Sequence, residues 1–142
     1  MANEFSTIGM LVQVGDGASP EVFTTIGGVT ATDGIGGASA DDLEVTALED
    51  KTKRYIKGLT DEGEVSLSIN TQAGNVLQQQ LADDSAAVAN VDRNYQILKE
   101  DGTTVFCSFN AYAKGYSGSL SLASVVTASC HLKLNTKPVW VI

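Results

Sequence analysis

The chain has 142 residues, 43% hydrophobic but only 6% aromatic and 18% charged, with a formal net charge of −8 from 17 acidic and 9 basic side chains. That length fits one domain and buries roughly 68–70% of its unfolded surface, so a core forms without metal or disulfide staples. The acidic balance argues against a nucleic-acid grip, which needs a basic stripe, and no apolar run approaches the ~20 residues that span a bilayer.

At the start, Met1-Ala2-Asn3-Glu4 has neither the basic nor the apolar region of a signal peptide, so the chain is expected to stay where it is made. Strands are expected at Ile8–Val14, Val22–Ile26 and Leu43–Ala47, separated by Gly15-Asp16-Gly17, Ser19-Pro20, Gly27-Gly28 and Gly36-Gly37. Glu64–Asn70 alternates cleanly, with Val65, Leu67 and Ile69 on one face and Ser66, Ser68 and Asn70 on the other. Asn75 is placed to cap a helix carrying Val76, Leu77, Leu81 and Val88. Asp83 and Asp84 oppose the macrodipole at its end, so a break is expected there, then a short turn through Ala86–Asn90.

Tyr95–Lys99 and the following strand read as a hairpin about Asp101-Gly102. Val105–Ala113 turns Val105, Cys107, Phe109, Ala111 and Ala113 to one side, and Val126–Leu134 does the same with Val126, Ala128, Cys130, Leu132 and Leu134. The fold class is therefore mainly β, a sandwich or barrel with one flanking helix.

Two segments do not suit a self-contained monomer. Ala47–Gly58 carries Glu49, Asp50, Lys51, Lys53, Arg54 and Lys57 and no alternation before Tyr55-Ile56. Alone it is expected to be a mobile loop, and in an assembly a contact between copies. The end, Pro138-Val139-Trp140-Val141-Ile142, is too apolar to fray and is expected to be buried on its own sheet or on a neighbour. Glu49, Asp50, Lys51, Lys53, Arg54, Tyr55, Ile56 and Trp140 are the expected inter-subunit contacts. Charge is uneven as well. Asp33–Glu64 holds nine acids, while Lys114–Ile142 holds none and contributes Lys114, Lys133 and Lys137. That asymmetry suits head-to-tail association.

No pattern carries chemistry. His131, the only histidine, lies on a polar strand face, and alternation sends its neighbour Cys130 to the other side. Cys107, Cys130 and His131 lack zinc-ligand spacing, and both cysteines read as buried thiols. Asp61, Glu62 and Glu64 around Gly63 read as a charged turn rather than glycosidase carboxylates. Asp41-Asp42 and Asp83-Asp84 lack the pattern of a calcium loop. Gly34-Ile35-Gly36-Gly37 lacks the lysine and helix of a phosphate cradle. No enzyme, cofactor or metal site is expected.

The succession Gly15-Asp16-Gly17, Ser19–Val29 and Leu43-Glu44-Val45-Thr46, then Tyr55-Ile56-Lys57-Gly58-Leu59-Thr60-Asp61-Glu62-Gly63-Glu64-Val65, resembles the lambda-like major tail tube proteins of siphophages. The likeness covers most of the chain and is strongest from Gly15 to Asn70. It implies rings of six copies whose inner strands join into one barrel, stacked into a tube that conducts DNA. It also implies a virion protein made in the host cytoplasm, with tape measure, tail terminator and tail-tip proteins as partners and DNA passing through unbound. Leu43-Glu44-Val45-Thr46 only approximates the family's Ile-Asp-x-Thr, and 142 residues leave no room for the immunoglobulin-like domain of many relatives. A tube subunit of a type VI secretion system would share fold and ring. A β-sandwich binding module would need a leader or exposed aromatic cluster, and a small β-fold enzyme would need a convergent polar site.

Overall fold

The computed structural model describes residues 9–36, 40–59 and 61–142. Ile8 of the first expected strand and Gly37 of the Gly36-Gly37 turn lie outside them. The described elements are β1 (Leu11–Gly15), β2 (Phe23–Thr25), β3 (Val29–Asp33), β4 (Asp42–Glu44), β5 (Tyr55–Lys57), β6 (Glu64–Asn70), α1 (Val76–Ala86), β7 (Asp92–Leu98), β8 (Val105–Ser119), β9 (Thr127–Leu134) and β10 (Val139–Trp140). One antiparallel path runs β2-β1-β7-β8-β9-β6-β3, with β10 pairing β8, while β4 and β5 form a separate two-stranded sheet.

The ends of that path, β2 and β3, are consecutive in the chain. Six strand spacings of about 4.8 Å would hold them roughly 29 Å apart in a flat sheet. The four residue steps from Thr25 to Val29 span at most about 14 Å. The sheet therefore rolls into a barrel, open along a seam between β2 and β3. Gly28 makes the crossing at φ 80°, where a Cβ would collide with the Asn70 carbonyl.

The buried faces are those that the alternation assigns, with two corrections: Val126 lies before β9 in the β8–β9 turn and is exposed, and Val105, at the start of β8, is only part-buried. Val65, Leu67 and Ile69 of β6, Ala128, Cys130, Leu132 and Leu134 of β9, and Cys107, Phe109, Ala111 and Ala113 of β8 are all buried. Val12, Val14, Tyr95 and Ile97 join them from β1 and β7. Burying a large aliphatic side chain contributes about 1.5–3 kcal/mol. A one-residue slip would turn such a row to water, so the pattern fixes the register.

α1 covers the inner side of β8, and Leu81 enters the core. Asn75 caps it by accepting from the backbone N–H groups of Leu77 (3.0 Å) and Gln78 (3.1 Å). The break expected at Asp83-Asp84 does not occur. The helix continues to Ala86 because Arg93 donates to both Asp84 oxygens, at 2.7 and 3.3 Å, and neutralises the carboxylate. Val88 lies beyond the helix and is fully exposed, so it is no part of the apolar stripe. Buried Gln78 donates to the carbonyls of Gly27 (2.7 Å) and Asn70 (3.2 Å), tying α1 to the β2–β3 crossing.

β8 continues to Ser119, well past the expected end at Ala113. Its register with β9 shifts between Ala113 and Gly115. The bulge inserts Lys114 and reverses the inward phase, so Tyr116 pairs with Cys130 and packs on the core.

Candidate functional site

The length of β8 creates the feature of most consequence. Val105–Tyr112 pairs with β7, and Ala111–Ser119 pairs with β9. Beyond Tyr112, β8 has a strand partner on one side only among the described residues. The sub-sheet β3-β6-β9-β8 therefore has two unpaired edges among the described residues, β3 itself and the far half of β8. Unpaired backbone groups are a template for another chain, and this protein blunts neither edge with proline.

The outward face of the sub-sheet is hydroxyl-rich. Ser66, Ser68 and Asn70 lie beside Thr127, Ser129 and His131, followed by Ser117 and Ser119. Ser117 and Ser129 share a 2.9 Å hydrogen bond, and the Ser66 hydroxyl meets His131 Nδ1 at 3.1 Å. Two ion pairs flank it, Lys133–Asp61 at 2.5 Å and Lys114–Glu64. The lysine partners hold both carboxyls below their ordinary pKa, and Asp61 raises that of Lys133. Two of the three lysines in the acid-free C-terminal segment are thus satisfied within the subunit. Much of the charge asymmetry read from the sequence is met in cis.

The Ala47–Gly58 segment is half of a hairpin rather than a structureless loop. Leu43 pairs with Ile56 and Glu44 with Tyr55, apart from the main sheet. Its loop is organised by Asp50, which accepts from Ala47 N–H (2.7 Å) and Arg54 Nε (2.9 Å), while Thr46 Oγ1 accepts from Arg54 N–H (3.0 Å). Arg54 and Asp50 are therefore internal braces, whereas Glu49, Lys51 and Lys53 are exposed. Tyr55 and Ile56 are both half exposed but point to opposite faces. Leu43, Val45 and Ile56 make one face, and Tyr55 shares the other with Asp42, Glu44 and Lys57. A lone two-stranded hairpin is at best marginally stable in water.

Trp140 lies in β10, paired with Cys107, and meets Phe106 edge-on with centroids 5.4 Å apart. It stays 43% exposed. A Cβ added to Gly36 would lie 3.5 Å from its ring, which puts Trp140 beside the chain leaving β3 for the arm. The fold thus gathers the arm and Trp140 at one end of the molecule. Sequence reasoning missed both sheet edges. β3 reads as Val-Thr-Ala-Thr-Asp, with too little apolar content to register, and the bulge hides the far half of β8.

The Ser66–His131 pair sits on an open strand face, part-buried between β6 and β9. Burial pushes both thiols, Cys107 and Cys130, up to about 11. An apolar cleft of about 680 Å³ follows the barrel seam, lined by Met10, Val12, Ile26, Val29, Ile97 and Phe106 among others, with no ionisable residue among the described residues that line it. Among the described residues no cluster of three or more His, Cys, Asp or Glu could hold a metal.

No curated protein matches the chain. Among solved structures, it is similar to the SPP1 tail tube (TM-score 0.67, 12% identity, covering 98% of this chain and 81% of that one). It is also similar to a chain of the PVC sheath-tube complex of an extracellular contractile injection system (TM-score 0.65, 13% identity, 99% and 95%). A third is a chain of the tail of the empty gene transfer agent particle, solved with C6 symmetry (TM-score 0.62, 14% identity, 94% and 96%). Identities this low carry the fold. Residues 5–142 match the family model described as "Phage tail tube, TTP, lambda-like". Nearly the whole chain, with its rolled sheet and single flanking helix, therefore belongs to the lambda-like phage tail tube family, as a structural protein of the virion tail.

Proposed function

We propose that six copies close edge to edge into a ring, β3 of one against the Ala113–Ser119 half of β8 in the next, and that rings stack into a tube through which DNA passes. The observation that carries this reading is the pair of unpaired edges flanking one polar-faced sub-sheet. Four strands from each of six copies give 24, a circumference of about 115 Å at ~4.8 Å per strand. Barrels of 16–18 strands already leave an aqueous channel. The sixfold symmetry of the similar gene transfer agent tail supports the number.

In this ring the serine, threonine and asparagine face lines the lumen. Its lysines are held by Asp61 and Glu64, and the chain carries −8 overall, so DNA meets no unbalanced cationic row and slides. Residues 1–142 work as one tail tube domain without catalysis or cofactor. Glu49, Asp50, Lys51, Lys53, Arg54, Tyr55, Ile56 and Trp140 contribute to contacts between copies, with Asp50 and Arg54 acting by shaping the arm. Tape measure, tail terminator and tail-tip proteins complete the assembly.

Sedimentation across a wide concentration range, with negative-stain imaging of the concentrated protein, tests this reading. Rings or tubes with a central channel are expected. A strictly monomeric species throughout, even with a tail-tip nucleus added, overturns it.

A further inference from the structure

The hairpin joining β8 to β9 ends in Leu120-Ser121-Leu122-Ala123-Ser124-Val125-Val126, and all seven residues are exposed. Leu120 is 79% exposed, Leu122 99% and Val125 64%. No charged residue occurs between Gly115 and Cys130, so the tip is a bare aliphatic surface on an otherwise acidic protein. Four large aliphatic residues crowded into seven are not the scattered apolar exposure of an ordinary surface. Its base is tied down by Thr71 N–H donating to the Val126 carbonyl (2.9 Å), and the turn itself is closed by Ser124 N–H donating to the Ser121 carbonyl (3.3 Å).

The position of the tip indicates what covers it. β6 runs from Glu64, where the chain arrives from β5, to Asn70, which pairs with Thr127 at the base of the tip. β3 leaves the sheet at Asp33, opposite Ser66, again at the Glu64 end. The β4–β5 arm and the β8–β9 tip therefore project from opposite ends of one sheet, about 20 Å apart along β6. Pairing of edges runs across strands, so in the ring proposed above strand ends become the two ring faces. One face then presents the tip and the other the arm, whose Leu43, Val45 and Ile56 form an exposed aliphatic face. Each is an apolar surface left exposed among the described residues of its own subunit, and translation along the strands brings them together.

Resting on that ring, we propose that the Leu120–Val126 tip is the docking surface for the Leu43/Val45/Ile56 face of the β4–β5 arm of a second copy in the adjacent ring. The contact is heterologous and open-ended, the symmetry that builds a filament rather than a closed dimer. Its six-fold repetition lets a small patch hold two rings together through avidity.

The test uses the full chain with Leu122→Asp, and separately Ile56→Asp. Both sites are exposed, so thermal unfolding of each monomer should match wild type. Under conditions in which wild type forms tubes, each variant should stop at single rings by sedimentation and negative stain. Oxidation of Leu122→Cys paired with Ile56→Cys should give crosslinked ladders longer than six subunits. Leu122→Cys paired with Val22→Cys should not, and the native Cys107 and Cys130, both buried and unbonded, are shielded from the oxidant. Wild-type-length tubes from both Asp variants, or equal ladders from the two cysteine pairs, overturn the docking assignment while leaving the ring intact. Absence of rings from wild type itself overturns the lateral reading instead.

Discussion

Replacing Arg93 by Met should cost this fold about 2–4 kcal/mol. The Asp84 side chain is 7% exposed and that of Arg93 24%, and their two hydrogen bonds are 2.7 and 3.3 Å long. Removing one member of a fully buried pair costs roughly 3–5 kcal/mol because the other is left charged in the interior. Water reaching the vacated Arg93 position lowers that figure. Repulsion between Asp84 and the carbonyl end of α1 raises it again by about 0.3–1 kcal/mol. Chemical denaturation of the monomer, read by far-UV circular dichroism, measures the change, and the melting temperature should fall by roughly 6–16 °C, at about 3–4 °C per kcal/mol for this length. The double variant Arg93→Met/Asp84→Leu should recover most of the loss, since no charge remains buried. A single variant within 0.5 kcal/mol of wild type would refute the argument that Arg93 lets α1 run through Asp83-Asp84.

Tyr95→Phe should be neutral or stabilising by up to about 1 kcal/mol by the same assay, because the buried Tyr95 hydroxyl has no hydrogen-bond partner among the described residues. Asp101 accepts from Thr103 and Thr104 N–H and from the Thr104 hydroxyl, which draws its carboxyl from 3.8 to about 2. A depressed pKa gives stability that is complete above pH 4 and lost as pH falls through 2. The stability difference between wild type and Asp101→Ala should therefore shrink over that interval in a denaturation series against pH. Lys53→Glu should leave monomer stability within ~0.5 kcal/mol and slow polymerisation, since six exposed pairs at about 0.5 kcal/mol each amount to on the order of 100-fold per ring junction. Arg54→Glu should also disorder the arm, visible as faster amide exchange at Ala47 and Val45, because the Arg54 side chain braces Asp50 and the Val45 carbonyl.

Alternation made the main sheet legible wherever a strand keeps one apolar side. β6 and β9 are read to within a residue of their ends because Val65-Leu67-Ile69 and Ala128-Cys130-Leu132-Leu134 are uninterrupted. β7 begins at Asp92, ahead of the expected Tyr95, because Arg93 faces inward, and a charged residue in an apolar row is intelligible only once Asp84 is beside it. The far half of β8 and all of β3 were invisible for a related reason. Edges and bulges carry little burial, and periodicity reports burial rather than hydrogen bonding. The arm was legible as an oddity, from its charge and its two apolar residues. That Tyr55 and Ile56 face opposite ways depends on a cross-strand pairing with Leu43-Glu44 that local pattern does not encode.

The double partnership of β8 also has a mechanical meaning. One continuous strand is gripped by β7 and β10 along its first half and by β9 along its second, and its free edge is part of that same backbone. A pull on the far end of β8 along the strand loads the ladders to β7 and β9 in parallel, in shear. Such an arrangement yields only when many hydrogen bonds break together, whereas a tip carried on a flexible loop would be peeled away one bond at a time. Strain entering at this edge is thus delivered to the hydrophobic core, where Cys107, Phe109 and Ala111 are packed against the rest of the barrel.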